Sequence, residues 1–372
     1  MVMDRRQLVW GIGAMATLSG CGAATPGAGG LRIDLLGQAL IEHAPMPAEW
    51  PGRAGVVRAL GGADAVFTNL ETVIRGRRAG APTRELLTLH ASGPEILETL
   101  KSAGVGLLTT ANNHAFDLGG GGILDTLAAI EAAGLRTTGS GADLVRAAAP
   151  ATLETSAGKV SAIGFATGKV RPGGAAALDH PGVNELRREA TGAPLAEDEA
   201  RILGAIRQAA AASDAVIACH HNHDWEPDNS QVPAWQQAFA RRCIDAGASV
   251  FVGHGSPVLQ GMAAWRGRPL LFGLGNFIFQ TEKPQGAYPP PAWQGVIASI
   301  MIDGDRPVRV ELTPLVLNEV GLGGPEDQAT RGFPTLAGDR EAADILARLA
   351  VQSAAIGGHL ERRGTRGTLR TA

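Results

Sequence analysis

Five of the nine histidines in this 372-residue chain stand just after apolar runs that read as strands. Asparagines and carboxylates stand with them. "NLE" carries Asn69 and Glu71, and "NNHAFD" carries Asn113, His114 and Asp117. "HHNHDWE" carries His220, His221, His223 and Glu226, and "GHGSP" carries His254. Strand ends on one edge of a sheet come together in space, and α/β proteins keep their chemistry there. Imidazole, carboxamide and carboxylate form the donor set for Mn²⁺, Zn²⁺ or Fe at a hydrolytic centre. One or two divalent ions held in this way would generate hydroxide near neutral pH and polarise the bond under attack.

Each cluster taken singly has a plainer account. A histidine after a strand is more often a hydrogen-bonded turn residue than a ligand. Asn113 and His114 can be a turn, Asp117 can cap the next helix, and Glu71 can be a surface charge. "HHNH" can be a polar loop. His221 and His223 would share one strand face, because side chains alternate with period two, and that suits chelation. The joint placement is what chance produces less readily.

These residues need elements to position them. "LRIDLLG", "AVFTNLE" (65–71) and "VGLLTTANN" read as strands. "PEILETLKSAG" (94–104) has a proline-led start and a glycine stop, which is helix punctuation. "ILDTLAAIEAAG" (123–134) spaces its apolar residues three and four apart and reads as a helix. Residues 151–166 read as a hairpin, and 167–196 as a long loop without periodicity. "EDEARILGAIRQAAAAS", "DAVIACHH" and "PAWQQAFARRCIDAGA" read as helix, strand and helix. "SVFVGHG", "PLLFGLGNFIF", "GVIASIMID" and "VRVELTPLVL" follow as strands, and a last helix spans 341–355. An order that begins βαβ and ends in consecutive strands predicts a four-layer αββα sandwich with mixed sheets. One domain runs from 31 to 356, and the basic tail 357–372 is expected to be disordered.

Composition narrows the function. Hydrophobic residues at 45% and charged residues at 19% are globular values. A net charge of −3 leaves no basic footprint, so no nucleic-acid partner is expected. "MVMDRRQLVWGIGAMATLSGC" pairs Arg5 with Arg6, adds an apolar run and ends at Cys21. This is the layout of a secretory signal of the twin-arginine kind, and "LSGC" resembles the bacterial lipobox. Residues 1–21 are then a signal peptide with a lipidated Cys21, and 22–30 a flexible tether. The protein is expected outside the cytoplasm, held to the membrane by that lipid. Cys219 and Cys243 lie in apolar runs and are expected to be buried thiols.

"FTNLET", "TTANNHAFDLGGGGILDTL", "FVGHGSPVLQGM" and "LLFGLGNFIF" resemble, in order, the motifs of the bacterial CapA family of capsule or poly-gamma-glutamate synthesis proteins. That family is similar to the calcineurin-like metallophosphoesterases. The resemblance runs from about Leu31 to Phe279 and implies the same αββα sandwich with a metal-centred site. It implies Asn113 as a ligand and His114 as the acid/base residue, with Glu71, His221 (or His223) and His254 at the other ligand positions; the expected metal set is Glu71, Asn113, His221, His223 and His254. Asp117 would orient His114, and Asn69 and Asn276 would order the site. Two positions depart from the family pattern. Gln38 stands where a Gly-Asp turn would put an aspartate, and "GHGSPVLQ" keeps only His254 of a Gly-His-His-Pro-His run. The expectation is one metal held tightly and a second weakly or not at all. The implied activity is hydrolysis or transfer on an envelope polymer, or on a small phosphoester or amide. Capsule-synthesis membrane proteins are the expected partners. The rival reading is a non-catalytic accessory subunit of a capsule-synthesis complex.

Overall fold

A computed structural model of the protein describes residues 30–46, 49–225, 228–304 and 308–372. The expected signal peptide with Cys21 and most of the expected tether lie outside the described residues, as does Glu226. β1 (Leu31–Leu40), α1 (Arg53–Leu60) and β2 (Ala65–Leu70) open the fold. Short parallel strands β3 (Val73–Ile74) and β4 (Ala91–Ser92) bring residue 90 back beside residue 73. α2 (Ile96–Ser102), β5 (Leu107–Thr109), α3 (Gly119–Ala132) and β6 (Arg136–Thr138) extend a parallel run. β7 (Ser140–Gly141) and α4 (Leu144–Ala148) lead to the hairpin of β8 (Ala151–Glu154) and β9 (Lys159–Thr167). A long loop follows, holding β10 (Gly182–Val183) against β7. Then come α5 (Ala196–Ala210), β11 (Ala215–Asn222), α6 (Ala234–Asp245), β12 (Val250–His254), β13 (Leu259–Trp265) and β14 (Arg268–Leu274). β15 (Asn276–Phe279), β16 (Gln294–Ile302), β17 (Arg309–Leu317), β18 (Pro334–Leu336), α7 (Asp339–Ala354), β19 (Leu360–Arg363) and β20 (Arg366–Leu369) end the chain.

Two mixed sheets result. One has the order β19-β20-β17-β16-β1-β2-β5-β6, with β15 against β1 and β18 against β17; the other runs β13-β14-β12-β11-β9-β8. They face each other through one apolar core, where Ile33, Leu35 and Phe67 meet Ala162, Ile217 and Val252. α1, α2 and α3 bury Leu60, Leu97 and Ile130 on the outer face of the larger sheet. α5 and α6 bury Ile206 and Phe239 on the outer face of the smaller one. These are the four layers αββα that the element order implies. Cys219 and Cys243 are buried and free. No helix among the described residues is long and apolar enough to cross a membrane.

Three elements differ from the sequence reading. "PLLFGLGNFIF" is two strands on different sheets. Gly275 adopts φ +67 between them, and a Cβ there would stand 2.4 Å from Gln294 O. Only glycine fits a crossing so close. "LQGMAAW" is a further strand, β13, whose residues up to Ala263 are buried. The basic tail, expected to be disordered, is instead the hairpin β19–β20, paired with β17. Its arginines hide a period of two: Gly367 and Leu369 are buried, while Thr368 and Arg370 are exposed. The hairpin also covers β17, which would otherwise present an open ladder edge.

Candidate metal centre

The centre forms where the two sheets end on the same side. Glu71 follows β2, and its N–H donates to Ala39 O at 2.8 Å. Asn112, Asn113 and His114 follow β5 in a tight turn, where Asn112 Oδ1 accepts from His114 N at 3.0 Å. From the opposite sheet come His221, inside β11, and His223, just past it, whose N–H donates to Thr167 O at 2.8 Å. One donor atom each from Glu71, His221 and His223 lies within 4.8 Å of the others. Glu71 Oε1 is 3.6 Å from His221 Nε2 and 4.0 Å from His114 Nε2. Asn113 Oδ1 is 2.8 Å from His221 Nε2. Two ligands about 2.1 Å from one ion at tetrahedral angles stand roughly 3.4 Å apart, so the separation of Glu71 from His221 suits a common ion, while the shorter contact to Asn113 is a hydrogen bond.

The hydrogen-bond pattern supports that fit. Glu71 Oε2 and both ring nitrogens of His223 are buried without a hydrogen-bond partner among the described residues. Buried polar atoms are rarely left so, and three close together fit the donor set a cation would take. The His221 ring has a defined proton. Asn112 Nδ2 donates to Leu70 O at 2.7 Å and to Asn69 Oδ1 at 3.1 Å. That turns Asn69 Nδ2 toward His221 Nδ1, at 3.2 Å. Nδ1 therefore accepts, and the proton sits on Nε2, donating to Asn113 Oδ1. Ligation through Nε2 requires the proton on Nδ1, with the Asn69 amide turned to offer its oxygen.

His114 stands beside these residues. Its Nδ1–H donates to Asp117 Oδ2 at 2.9 Å, which leaves Nε2 facing Glu71. Asp117 Oδ2 also accepts from His90 N at 3.1 Å, and Arg84 Nε lies 2.5 Å from Asp117 Oδ1. Arg84 Nη2 donates to Asn113 O, tying both turn residues to one guanidinium. Burial pushes His114 well below the usual imidazole range, so the ring is neutral. Burial pushes Glu71 up to about 8. It pushes Asp117 up to about 7, against the pull of Arg84. The His90 ring packs 4.4 Å from that of His114, and its Nδ1 meets Glu42 Oε1 at 2.6 Å.

Other expected members lie differently. His254 is beside His221 in the ladder, but its Nε2 donates to Leu36 O at 2.9 Å and its Nδ1 accepts from the Cys219 thiol at 3.4 Å. It stands outside the three-residue cluster, because β12 delivers its ring between the sheets. Gln38 reaches the same region through a register slip in β1 between Leu35 and Gln38. Its Oε1 accepts from Gly255 N at 2.8 Å. Asn276 pairs with Gln38 in the ladder and donates to Pro257 O at 3.2 Å and Ala292 O at 2.7 Å. His220 turns to the outer layer, where its Nε2 meets Thr167 Oγ1 at 2.9 Å.

Asn112, Arg84 and His90 complete the site beyond the residues assigned from sequence. Arg84 follows no apolar run, and His90 follows "LLTL", which is a single helical turn rather than a strand, so no strand-end rule finds either. The β3–β4 pairing returns them to Glu71, with Val73 N donating to His90 O at 2.9 Å. His90 after "LLTL" was the available signal; Arg84 is one of four arginines over 75–84 and nothing local sets it apart.

Residues 34–281 match the family described as bacterial capsule synthesis protein PGA_cap. The chain belongs to this family. It is 28% identical to an uncharacterized protein of Sinorhizobium fredii, over 86% of this chain and 88% of that protein. It is 29% identical to a probable polyglutamine synthesis accessory protein of Mycobacterium tuberculosis, over 64% of this chain and 62% of the relative. It is 28% identical to the PGA biosynthesis protein CapA of Bacillus subtilis, over 59% of this chain and 57% of that one. Among solved structures, the NAD nucleotidase of Haemophilus influenzae aligns with a TM-score of 0.40 at 11% identity, over 86% of this chain and 56% of that one.

Proposed function

We propose that this member of the PGA_cap family is an exported metal-dependent hydrolase or transferase of capsule synthesis, anchored through lipid on Cys21. Its substrate is an envelope polymer such as poly-gamma-glutamate, cut or transferred at an amide bond. The observation that carries the reading is the set of partnerless buried donors on Glu71 and His223 beside His221. Glu71, His223, His221 and Asn113 would hold the ion. When bound it would polarise the substrate carbonyl and ease deprotonation of water.

The rest falls to the chain. His114 is neutral, with its Nδ1–H fixed by Asp117 and its Nε2 lone pair facing the ligands. Nε2 accepts a proton from the attacking nucleophile and returns it to the leaving amine. Asp117 fixes the ring and favours the imidazolium while it lasts, and Arg84 keeps Asp117 in place. The buried position of His114 keeps bulk water from competing for that proton.

The test is elemental analysis and Mn²⁺ or Zn²⁺ titration of the purified protein, with assay on gamma-linked and alpha-linked glutamate polymers. One metal per chain is expected. His114→Ala should lower turnover by about 10²- to 10⁴-fold while metal content stays constant. No affinity for either ion would overturn the catalytic reading. The accessory-subunit reading would then stand, which the hydrogen-bonded state of Gln38 and His254 favours.

A further inference from the structure

A groove of about 920 Å³ lies at the far end of β1 from the metal centre. Arg32 and Gln38 are six residues apart on that strand, roughly 20 Å. Five arginines from four separate segments line the groove: Arg32, Arg58, Arg309, Arg366 and Arg370, against one acidic residue, Glu311. The whole chain is net acidic at −3, so this concentration of positive charge is local.

Arrangement matters as much as number. Arg32, Met301 and Arg309 are neighbours in register across β1, β16 and β17, which puts the two arginines about 10 Å apart on one face. Arg370 follows β20 directly on the same side, and Arg58 adds a wall from the last turn of α1. Three of the five have carboxylate partners: Arg32 with Asp34 at 2.9 Å, Arg366 with Glu311 at 2.8 Å and Arg370 with Glu361 at 2.5 Å. Arg58 and Arg309 are exposed and have no ion-pair partner among the described residues. Like charges set across a sheet face repel, and an anion lying along the row would relieve this.

We propose that this groove binds an extended acidic polypeptide through its recurring carboxylates, separately from the metal centre. Guanidinium forks take carboxylates in paired hydrogen bonds, which is the geometry this ligand offers. A single carboxylate would meet one free arginine. A chain of them meets Arg58 and Arg309 together and gains by linkage. The proposal does not rest on catalysis at the metal centre. It gives the protein a hold on an acidic chain whether or not that chain is cut.

The experiment is fluorescence anisotropy of labelled poly-glutamate, about 20 residues long, with the metal-free full chain in detergent. Binding should weaken as salt rises. Arg58→Glu with Arg309→Glu should weaken it at least about tenfold. The Lys pair should lose only about two- to threefold, because charge is kept and the fork is lost. In the unmodified protein, the polymer should slow amide exchange over 309–313 and 366–370. Undiminished binding by the Glu pair, or no protection of those segments, would overturn the proposal. So would arginine-dependent binding of phosphatidylglycerol vesicles without binding of the polymer, which would make this face a membrane contact.

Discussion

Two neighbouring parts of the strand-end region differ in how their polar atoms are used. On one side, Glu71 and His223 present buried polar atoms with no hydrogen-bond partner among the described residues. On the other, Gln38 and His254 are closed by backbone partners: Gly255 N for Gln38 and Leu36 O for His254. Side chains of similar type sit within one ladder spacing of each other, since His221 and His254 are direct partners. A histidine bound to a backbone carbonyl and a thiol contributes to stability. A histidine with two idle buried nitrogens costs stability until something binds it. On the proposed reading, the first group is the one open to a metal ion and the second holds the sheets together.

The sharpest break of this contrast is a pair of alanine substitutions. His223→Ala should cut metal affinity by at least about 100-fold and leave the metal-free protein as stable or slightly more so. His254→Ala should leave metal affinity nearly unchanged and destabilise the fold by about 2–4 kcal/mol, through the cavity and the stranded Leu36 carbonyl. Metal titration and chemical denaturation read both. The opposite pattern would exchange the roles.

Next in size is the pH dependence of metal-free stability. His90, His220 and His223 are pushed down to about 3 and His254 to about 4, all chiefly by burial. Their folded values lie below the unfolded one, so the unfolded chain binds more protons and stability rises with pH up to about 6.5. Glu71 and Glu42 are pushed up to about 8, again by burial. Their folded values lie above the unfolded one, so they favour the fold at low pH and lose that contribution as pH rises through about 8. The histidines outnumber them below 6.5 and have finished titrating above it. Melting temperature without metal should therefore peak near pH 6.5. Bound metal should flatten the alkaline decline, because it takes Glu71 as the carboxylate. A metal-free optimum at pH 8 or above would contradict the burial of these carboxylates.

A smaller gain should follow Asn69→Asp. A carboxylate there accepts a hydrogen bond from His221 Nδ1–H and leaves Nε2 free to ligate, so affinity should rise about tenfold. No change would mean that His221 does not ligate through Nε2. The least effect is expected from Gln38→Asp. The shorter side chain leaves Gly255 N, but His254 stays bound to Leu36 O, so metal stoichiometry should remain near one. A stoichiometry of two would show that Gln38 alone holds back a second ion.

Much of the fold was legible because period and punctuation are local. The run "ILDTLAAIEAAG" predicts a helix over 123–134, and α3 occupies 119–132. The hairpin over 151–166 is β8 and β9. Reading failed where a distant contact decides. "GLGN" carries no local sign that its second glycine moves the chain from one sheet to the other. "ERRGTRGTLR" looks like a solvated tail by charge, although its alternate residues complete a core built elsewhere. In the site, His114 and Asp117 were legible as a pair three residues apart, and Asn113 by its neighbour.

The sequence by itself determined the strand-end clusters, the layered architecture and the capsule-synthesis family, because these rest on residue order and spacing. Only the tertiary structure decided which polar groups are free. Whether a buried histidine can ligate depends on its hydrogen-bond partners, and these come from far along the chain: Leu36 for His254, Asn69 for His221, Gly255 for Gln38. The same holds for Arg84 and His90, returned to Glu71 by a two-residue ladder, and for the arginines that four separated segments bring to one groove. Donor types can be counted along a chain, but a free lone pair is a property of the packed neighbourhood.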